Sequence, residues 1–423
     1  MSNKKVAYLV VNEDIGSELL KRQVVELLCN IQQRTEDVKI TLFLFASVLT
    51  ILNHYKSIKE VKLLLRSSGV GVVLIPNLCP WPIPNIKFYK SDVGYRPSGR
   101  WNRPASITFS ILGFPIILCI RFILGFKVFH CRSYPALLPV IIAKRCFSSI
   151  KVIFDPRSDF PEENVTSGSW KYMSEDYSFW KQKEFDFLKS SDRVALIGPT
   201  YLQHYKGVCK EFSYFFAPNN VNCANFMRNN SERSRLRSQY GISSDESVFV
   251  YLGNISRSGW HRAEYYFRFF DELASLDLSC RIMFLVPKHC QSILKELLGE
   301  RDGVMIFSPD FDDVGKYLSM ADYGLMFLHK SKIAVGTKIG EYLAASLPVV
   351  INKNCVGACE LLQRMPQCGK VVGLGLGDLD ECIDLTDLSL VRECQDTSAF
   401  AQSYFDNSVI SKAYIQQYRE LLH

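Results

Sequence analysis

Lys338 and Glu341 stand one helical turn apart in VGTKIGEYLAASLPVV, residues 335–350, directly after a glycine and a threonine. The start of a helix offers backbone N–H groups that have no partner inside the helix, and the helix dipole adds positive potential there. Phosphate is the natural ligand of such an end. Gly336 would let a ligand approach the backbone closely, Thr337 would open the helix, and Lys338 would add a countercharge. An ionised Glu341 only accepts hydrogen bonds, so paired sugar hydroxyls suit it as donors. The plain alternative puts both charges on a solvated helix face, where most charged helical residues sit.

Three other stretches carry candidate chemistry. His130 and Arg132 fall at the end of the strand-like KVFH, in FKVFHCRSY. A histidine there serves equally as a hydrogen-bonded core residue. Asp155, Arg157 and Glu163 lie together in FDPRSDFPEE, where they make either an acceptor-binding group or a structural ion-pair cluster. Gly253 turns the chain in YLGNISRSGWHR, and Arg257 and Arg262 follow it, each reading by itself as a surface residue. His204 and His261 read as surface histidines. No carboxylate pair stands out as nucleophile and acid. Fourteen cysteines occur without a C-x-x-C pair, Cys355 and Cys359 coming nearest, so free thiols in a reducing cytoplasm are expected and no metal site is.

The elements that must position these residues alternate. In the second half SVFVYLGNI is followed by helical AEYYFRFFDELASL, RIMFLVP by QSILKELL, GVMIFS by FDDVGKYLSMA, YGLMFLH by TKIGEYLAAS, and LPVVIN by GACELLQRM. Short apolar runs alternating with helical periodicity predict a parallel sheet covered on both faces. The first half repeats the pattern less regularly, from KVAYLVV through KVIFDPR to DRVALIG. The expectation is an α/β chain of two doubly wound Rossmann-like domains, residues 1–220 and 221–397, with a helical tail, 398–423, packing back across the boundary. Ligands of such sheets bind outside the carboxyl ends of the strands, so the two domains are expected to face a central cleft.

Charge is unevenly shared. Residues 1–220 hold 29 Lys and Arg against 18 Asp and Glu, and residues 221–423 hold 21 against 25. The excess is densest in WPIPNIKFYKSDVGYRPSGRWNRP, residues 81–104, where aromatic and basic residues interleave. Such a segment suits an anionic membrane surface or a phosphate-bearing partner, and equally a solvated loop. Single-stranded nucleic acid also fits this composition, but nothing else in the chain supports it, and no nucleic-acid partner is expected. Next comes ITFSILGFPIILCIRFILGF, residues 107–126, long enough to raise a membrane span. Arg121 and Pro115 interrupt it, which favours a helix buried or seated in the membrane interface over a spanning one. The opening MSNKKVAYLVVNED reads as the start of a strand, so a secretory signal is not expected there.

The motif G-T-K-I-G-E-Y-L-A-A-S-L-P-V-V resembles the signature of retaining, two-domain (GT-B) glycosyltransferases of family 4, with closest likeness to bacterial members that build surface polysaccharides. HCRSYPALLPVIIAKR, FDPRSDFPEE, FWKQKEFDFLKSSD, APNNVNCANF and YLGNISRSGWHRAEYYFRFF are similar to further segments of that group. The resemblance implies a nucleotide-diphospho-sugar donor held by the second domain, an acceptor on the first, retention of configuration and no metal or other cofactor. It places Gly336 and Thr337 on the diphosphate, Glu341 on the ribose hydroxyls, and His130 and Arg132 near the transferred sugar. It implies a lipid-linked or glycan acceptor and a cytoplasmic protein, peripheral at the inner face of the membrane.

The sequence also departs from that pattern. Ile333 replaces a glutamate eight residues before Glu341, Gly336 replaces a proline, Gly357-Ala358 replaces a G-D pair, and Asn222 replaces an aspartate. Asn254 stands where the family's basic pair begins, so the resemblance leaves Arg257 or Arg262 as its substitute toward the phosphate. Two rival readings are therefore a nucleotide-sugar epimerase of the same fold and a catalytically silent nucleotide-sugar or glycan-binding protein.

Overall fold

In a computed structural model, residues 4–13, 17–77, 101–255, 260–275, 279–298, 301–373 and 397–423 are described, with the backbone of two short strands between 88 and 97. Leaving that short pair aside, the chain forms two compact units. One runs to Asn220 and resumes from Asn407 to the end; the other is Val221–Asp406.

The first unit is built on β1 (Lys4–Val11), β2 (Val38–Ser47), β3 (Gly71–Asn77), β6 (Val128–Arg132), β7 (Lys151–Asp155), β8 (Arg193–Leu196) and β9 (Tyr214–Phe216). The numbers β4 (Phe88–Ser91) and β5 (Gly94–Pro97) belong to the separate two-stranded pair. The strand order is β3-β2-β1-β6-β7-β8-β9, and every pairing is parallel. The order reverses between β1 and β6. Val6 through Val11 are all buried, as expected of a central strand covered on both faces. The closing helix Asn407–Leu422 buries Ile410, Tyr414, Ile415 and Tyr418 in this unit's core.

The second unit holds β10 (Ser247–Leu252), β11 (Cys280–Leu285), β12 (Val304–Phe307), β13 (Tyr323–Met326), β14 (Val349–Asn352) and β15 (Gly369–Val372), in the order β12-β11-β10-β13-β14-β15. These pairings are parallel too, and the order reverses between β10 and β13. The helix Thr337–Ala344 packs on the β13 side with Ile339, Tyr342, Leu343 and Ala344 buried. Tyr342 holds it down: its hydroxyl accepts from Leu252 N at 2.7 Å and donates to Leu325 O at 3.2 Å. Its ring occupies the room left by Gly324, where an added Cβ would come within 2.3 Å of the ring.

That contact sets a prediction. Gly324→Ala forces the Tyr342 ring off β13, and overpacking of this kind costs about 1–3 kcal/mol. A urea titration should show a lower midpoint with an unchanged slope; an unchanged midpoint would mean that the ring is not held there.

Candidate functional site

In the second unit the strands part between β10 and β13, the place where a doubly wound sheet opens at its carboxyl edge. Gly253, the first residue after β10, adopts φ +116°, a conformation that L side chains rarely take. Lys338, the second residue of the helix Thr337–Ala344, reaches under this turn. A Cβ on Gly253 would lie 2.7 Å from Lys338 Cε and 3.0 Å from its Nζ. Gly336 is the N-cap and supplies no side chain to the first turn. Its missing Cβ matters as well, since one there would crowd Met326 at 3.1 Å.

The Lys338 ammonium lies 4.5 Å above the Tyr251 ring, 2.9 Å from the Tyr251 hydroxyl and 3.1 Å from His261 Nε2. Burial drives its pKa down to about 7, against the opposing pull of Glu341, with Lys332 pushing the same way as burial. His261 is kept neutral: burial first, then Lys338, holds its pKa well below the usual value. Its Nδ1 sits 3.2 Å from Phe327 O, so a proton on Nδ1 leaves Nε2 as acceptor for the ammonium. Glu341 is buried, 4% exposed, which excludes the solvated-face reading for this residue. The site thus gathers a lysine of adjustable charge, a buried carboxylate and a helix start around one glycine turn. Such a constellation suits an anionic ligand with hydroxyls nearby.

Other residues fall less centrally. Arg262 is turned toward Glu264 at 3.3 Å. Arg257 lies outside the described residues, as does much of the basic stretch 81–104. Ile333 sits in the loop after β13, and its carbonyl oxygen would be 2.2 Å from a Cβ added to Gly357. Sequence reasoning missed His261, which is half-buried and not a surface residue, together with Lys332, whose ammonium lies 5.1 Å above the Trp260 ring. The signal for His261 is present only as its place on the far side of the glycine turn.

The first unit builds a second polar cluster, again where its strand order reverses. Parallel register sets Tyr8 beside His130 and Arg132 beside Asp155. His130 has no exposed surface. Its Nδ1 is 2.6 Å from the Tyr418 hydroxyl and its Nε2 3.1 Å from Asp155 Oδ2. Arg157 Nε lies 2.8 Å from Asp155 Oδ1, and its guanidinium donates to the Tyr414 hydroxyl at 2.6 Å. Tyr414 in turn donates to Asp155 at 3.1 Å. Burial alone would raise the Asp155 pKa, but Arg157, then His130 and Arg132, outweigh it and hold the carboxyl well below the usual range. Burial likewise lowers His130 despite Asp155. Arg132 donates to Glu13 at 2.9 Å and to Gln23 at 2.8 Å, while its buried Nη1 finds no acceptor among the described residues.

Backbone strain accompanies this cluster. Asn12 after β1, Ser133 after β6 and Arg157 after β7 take φ of +52°, +65° and +58°. Left-handed conformations in non-glycine residues cost about 1–3 kcal/mol each and gather at ligand sites. Glu163 stands apart, in the first turn of the helix Phe160–Thr166, with its charge felt at Tyr201. His204 is likewise no surface histidine: half-buried, its Nε2 lies 3.9 Å from Glu184. Glu162, Glu184 and His204 bring ligand atoms within 4.8 Å of one another, but the Lys181 ammonium already engages both carboxylates.

No protein-family model matches the sequence, and no curated protein matches it either. Solved structures do. HepE of Anabaena, determined with UDP, is 15% identical over 99% of this chain and 100% of its own, with TM-score 0.64. Its complex with UDP-glucose gives 16% identity, 99% of each chain and 0.60. Sucrose-phosphate synthase of Thermosynechococcus elongatus gives 14%, 99% of each chain and 0.64. A Listeria monocytogenes structure described as a UDP-N-acetylglucosamine 2-epimerase gives 10%, 98% of this chain, 95% of its own and 0.55. The fold of this chain is therefore GT-B: α/β, with parallel Rossmann-like sheets of seven and six strands.

Asp155→Asn tests the first-unit cluster. Removing one partner of a buried ion pair strands Arg157 and is expected to cost about 3–5 kcal/mol near neutral pH. Because the folded pKa of Asp155 is depressed, its contribution is complete above the unfolded value of about 3.9 and is lost as pH falls below it. Denaturant curves of variant and wild type should therefore converge on acidification; a gap that persists would assign the stability elsewhere.

Proposed function

We propose that the protein is a retaining glycosyltransferase of family 4 that moves a sugar from a nucleotide-diphospho-sugar to a lipid-linked or glycan acceptor. In this reading it works in bacterial surface-polysaccharide synthesis, in the cytoplasm at the inner face of the membrane. The observation that carries the proposal is Lys338 beneath the Gly253 turn at the start of a glycine-capped helix. The UDP and UDP-glucose held by the structurally similar HepE support it.

In this mechanism the bond between the anomeric carbon and the diphosphate oxygen breaks while the acceptor oxygen bonds to the same face of that carbon. The departing diphosphate takes the proton of the acceptor hydroxyl. Departure concentrates negative charge on the diphosphate. Amides at Gly336 and Thr337, with the Lys338 ammonium, stabilise that charge more than the ground state, which is what lowers a barrier. Glu341 holds the ribose hydroxyls. In this reading Gly253 and Arg262 serve the donor side, Arg132 and His130 lie near the transferred sugar, and Asp155 and Arg157 belong to the acceptor side; the fully buried His130 positions Asp155 rather than touching substrate. No metal is required, because protein groups meet the diphosphate charge.

A second reading, a nucleotide-sugar epimerase, draws on the Listeria likeness, and Ile333 in place of a glutamate favours a silent binder. Donor turnover without acceptor would mark the epimerase. Tight donor binding without transfer to any lipid extract would mark the binder.

A thermal-shift panel of nucleotide sugars decides whether there is a donor, since a ligand specific to the folded state raises Tm by mass action. Glu341→Ala should weaken the best donor by losing charged hydrogen bonds, about 1.5–3 kcal/mol, with Lys338→Ala weakening it less. Retained affinity in Glu341→Ala would remove the ribose assignment. Donor binding should also take up a proton. Lys338 titrates at about 7 in the free protein, and an adjacent diphosphate favours its charged form. Affinity should thus fall as pH rises above about 7, by up to about tenfold per unit. Lys338→Met should flatten that dependence; calorimetry in buffers of different ionisation enthalpy reads it directly.

A further inference from the structure

The helix Arg103–Ile123, which includes a π-helical last turn, is the one described helix long and apolar enough to cross a membrane, and only a third of its most apolar window is buried. Its inner face is committed to the protein: Ala105, Phe109, Gly113, Ile117 and Ile120 are buried. Gly113 packs so tightly on the helix Ser133–Cys146 that a Cβ would come 2.9 Å from Pro139. With that side packed on the helix Ser133–Cys146, the outer face is what the helix has left to offer a bilayer.

Its outer face is the anomaly. Ile107, Ile111, Leu112, Phe122 and Ile123 recur at helical spacing and are 43–77% exposed. Between Arg103 and Arg121 the helix carries no charged residue at all. A solvated helix face normally carries the charges. An apolar stripe of this length marks a binding surface.

The surroundings say what binds it. Residues 93–154 contain nine Lys and Arg and no Asp or Glu. At the helix's carboxyl end Arg121 lies 5.1 Å over the Phe122 ring, Lys5 donates to Leu124 O at 3.0 Å, and Lys127 is exposed. Acidic groups enter from neighbouring elements: Glu175 lies 4.0 Å from Arg103, whose backbone N–H donates to Asp176, Asp186 lies 3.4 Å from Arg145, Asp192 pairs with Lys144 and Lys151, and Glu13 pairs with Arg132. Arg121 and Lys127 have no acidic partner among the described residues. Alongside runs a groove of about 700 Å³ with an apolar lining that includes Ile107, Ile111 and Phe179, and with Arg103, Lys183 and one acid, Glu175, among its charged residues. A protein partner would need acid and apolar surface in one long stripe. An anionic lipid interface offers both as a matter of course.

We infer that the outward face of helix Arg103–Ile123 seats this protein on an anionic lipid surface, with the helix in the membrane plane and Arg121 and Lys127 at headgroup level. This deepens the membrane attachment proposed above by naming the face, and it stands apart from sugar transfer.

Vesicle flotation of the full chain tests it. Phosphatidylcholine vesicles containing phosphatidylglycerol should carry the protein, phosphatidylcholine alone should carry less, and added salt should weaken the association. Ile111→Glu with Ile123→Glu should reduce partitioning more than about tenfold, and Arg121→Gln or Lys127→Gln roughly fivefold each. Ile111→Ser with Ile123→Ser serves as a milder pair in case the charged variant misfolds. Nucleotide thermal shifts in the same proteins separate the two ideas: lost flotation with donor shifts retained supports the face. No donor shift in the wild type sinks the transferase reading and leaves the flotation result standing. Wild-type partitioning in the variants, or a light-scattering mass showing a dimer that these substitutions abolish while vesicles are ignored, overturns the inference.

Discussion

One tyrosine hydroxyl solves a problem that the second sheet creates for itself. Where the strand order reverses, β10 and β13 diverge after Tyr251 and Leu325, and their next backbone groups lose sheet partners. Buried backbone groups without partners are costly. Tyr342 supplies both, accepting from Leu252 N and donating to Leu325 O. Because Tyr342 is part of the helix Thr337–Ala344, the same bonds fix where that helix begins. Lys338, one turn earlier, is thereby delivered to the Gly253 turn, and Glu341 is buried beside it. The candidate donor site is a by-product of closing the gap in the sheet.

The first unit meets the same gap differently. Its reversal point is filled by charge, with Asp155 compensating Arg157 and contacting His130, and the tyrosines of the closing helix packed at a tilt against the His130 ring. An ionised carboxylate can be held in so buried a place only by partners on several sides. Those partners come from β6, from the turn after β7 and from a helix more than 250 residues further on. The cluster is therefore a structural knot as well as a candidate site. The left-handed residues at three neighbouring strand ends show that the backbone bends to assemble it.

How much of this the sequence discloses follows from how local each cause is. The strands of both sheets are legible because a covered parallel strand must be apolar throughout, and runs such as SVFVYL and KVIF show that directly. The helix at 337–344 is legible from its glycine start and apolar spacing. The enclosure of His130 is not, because it depends on Tyr414 and Tyr418, remote in the chain and ordinary in their own helix. His261 is hidden for a similar reason: its partners Phe327 and Lys338 meet it only through the sheet. The outward apolar stripe of helix Arg103–Ile123 is hidden in the opposite way. Its sequence is apolar all round, so only packing reveals which side the protein covers.

Ile333 shows what a substitution at a site position does and does not change. The backbone there is fixed by Gly357, whose lack of a side chain admits the Ile333 carbonyl, and by Lys332, whose N–H donates to Asn354 O at 2.8 Å. Those constraints act on the main chain and are indifferent to the side chain at 333, which is only half-buried. The loop geometry would thus persist with glutamate or isoleucine alike. What isoleucine removes is a carboxylate acceptor, and with it the hydrogen bonds that sugar hydroxyls would donate there. In the proposed transferase, specificity at such a position would come from unpaired donors on the wrong ligand, so an apolar residue there would relax discrimination between hydroxyl patterns without touching the proposed phosphate-binding groups. The lysine beneath the glycine turn and the buried Glu341 lie outside that change, so under the proposed function the departure at Ile333 would bear on which sugar is held before it bore on whether a nucleotide is.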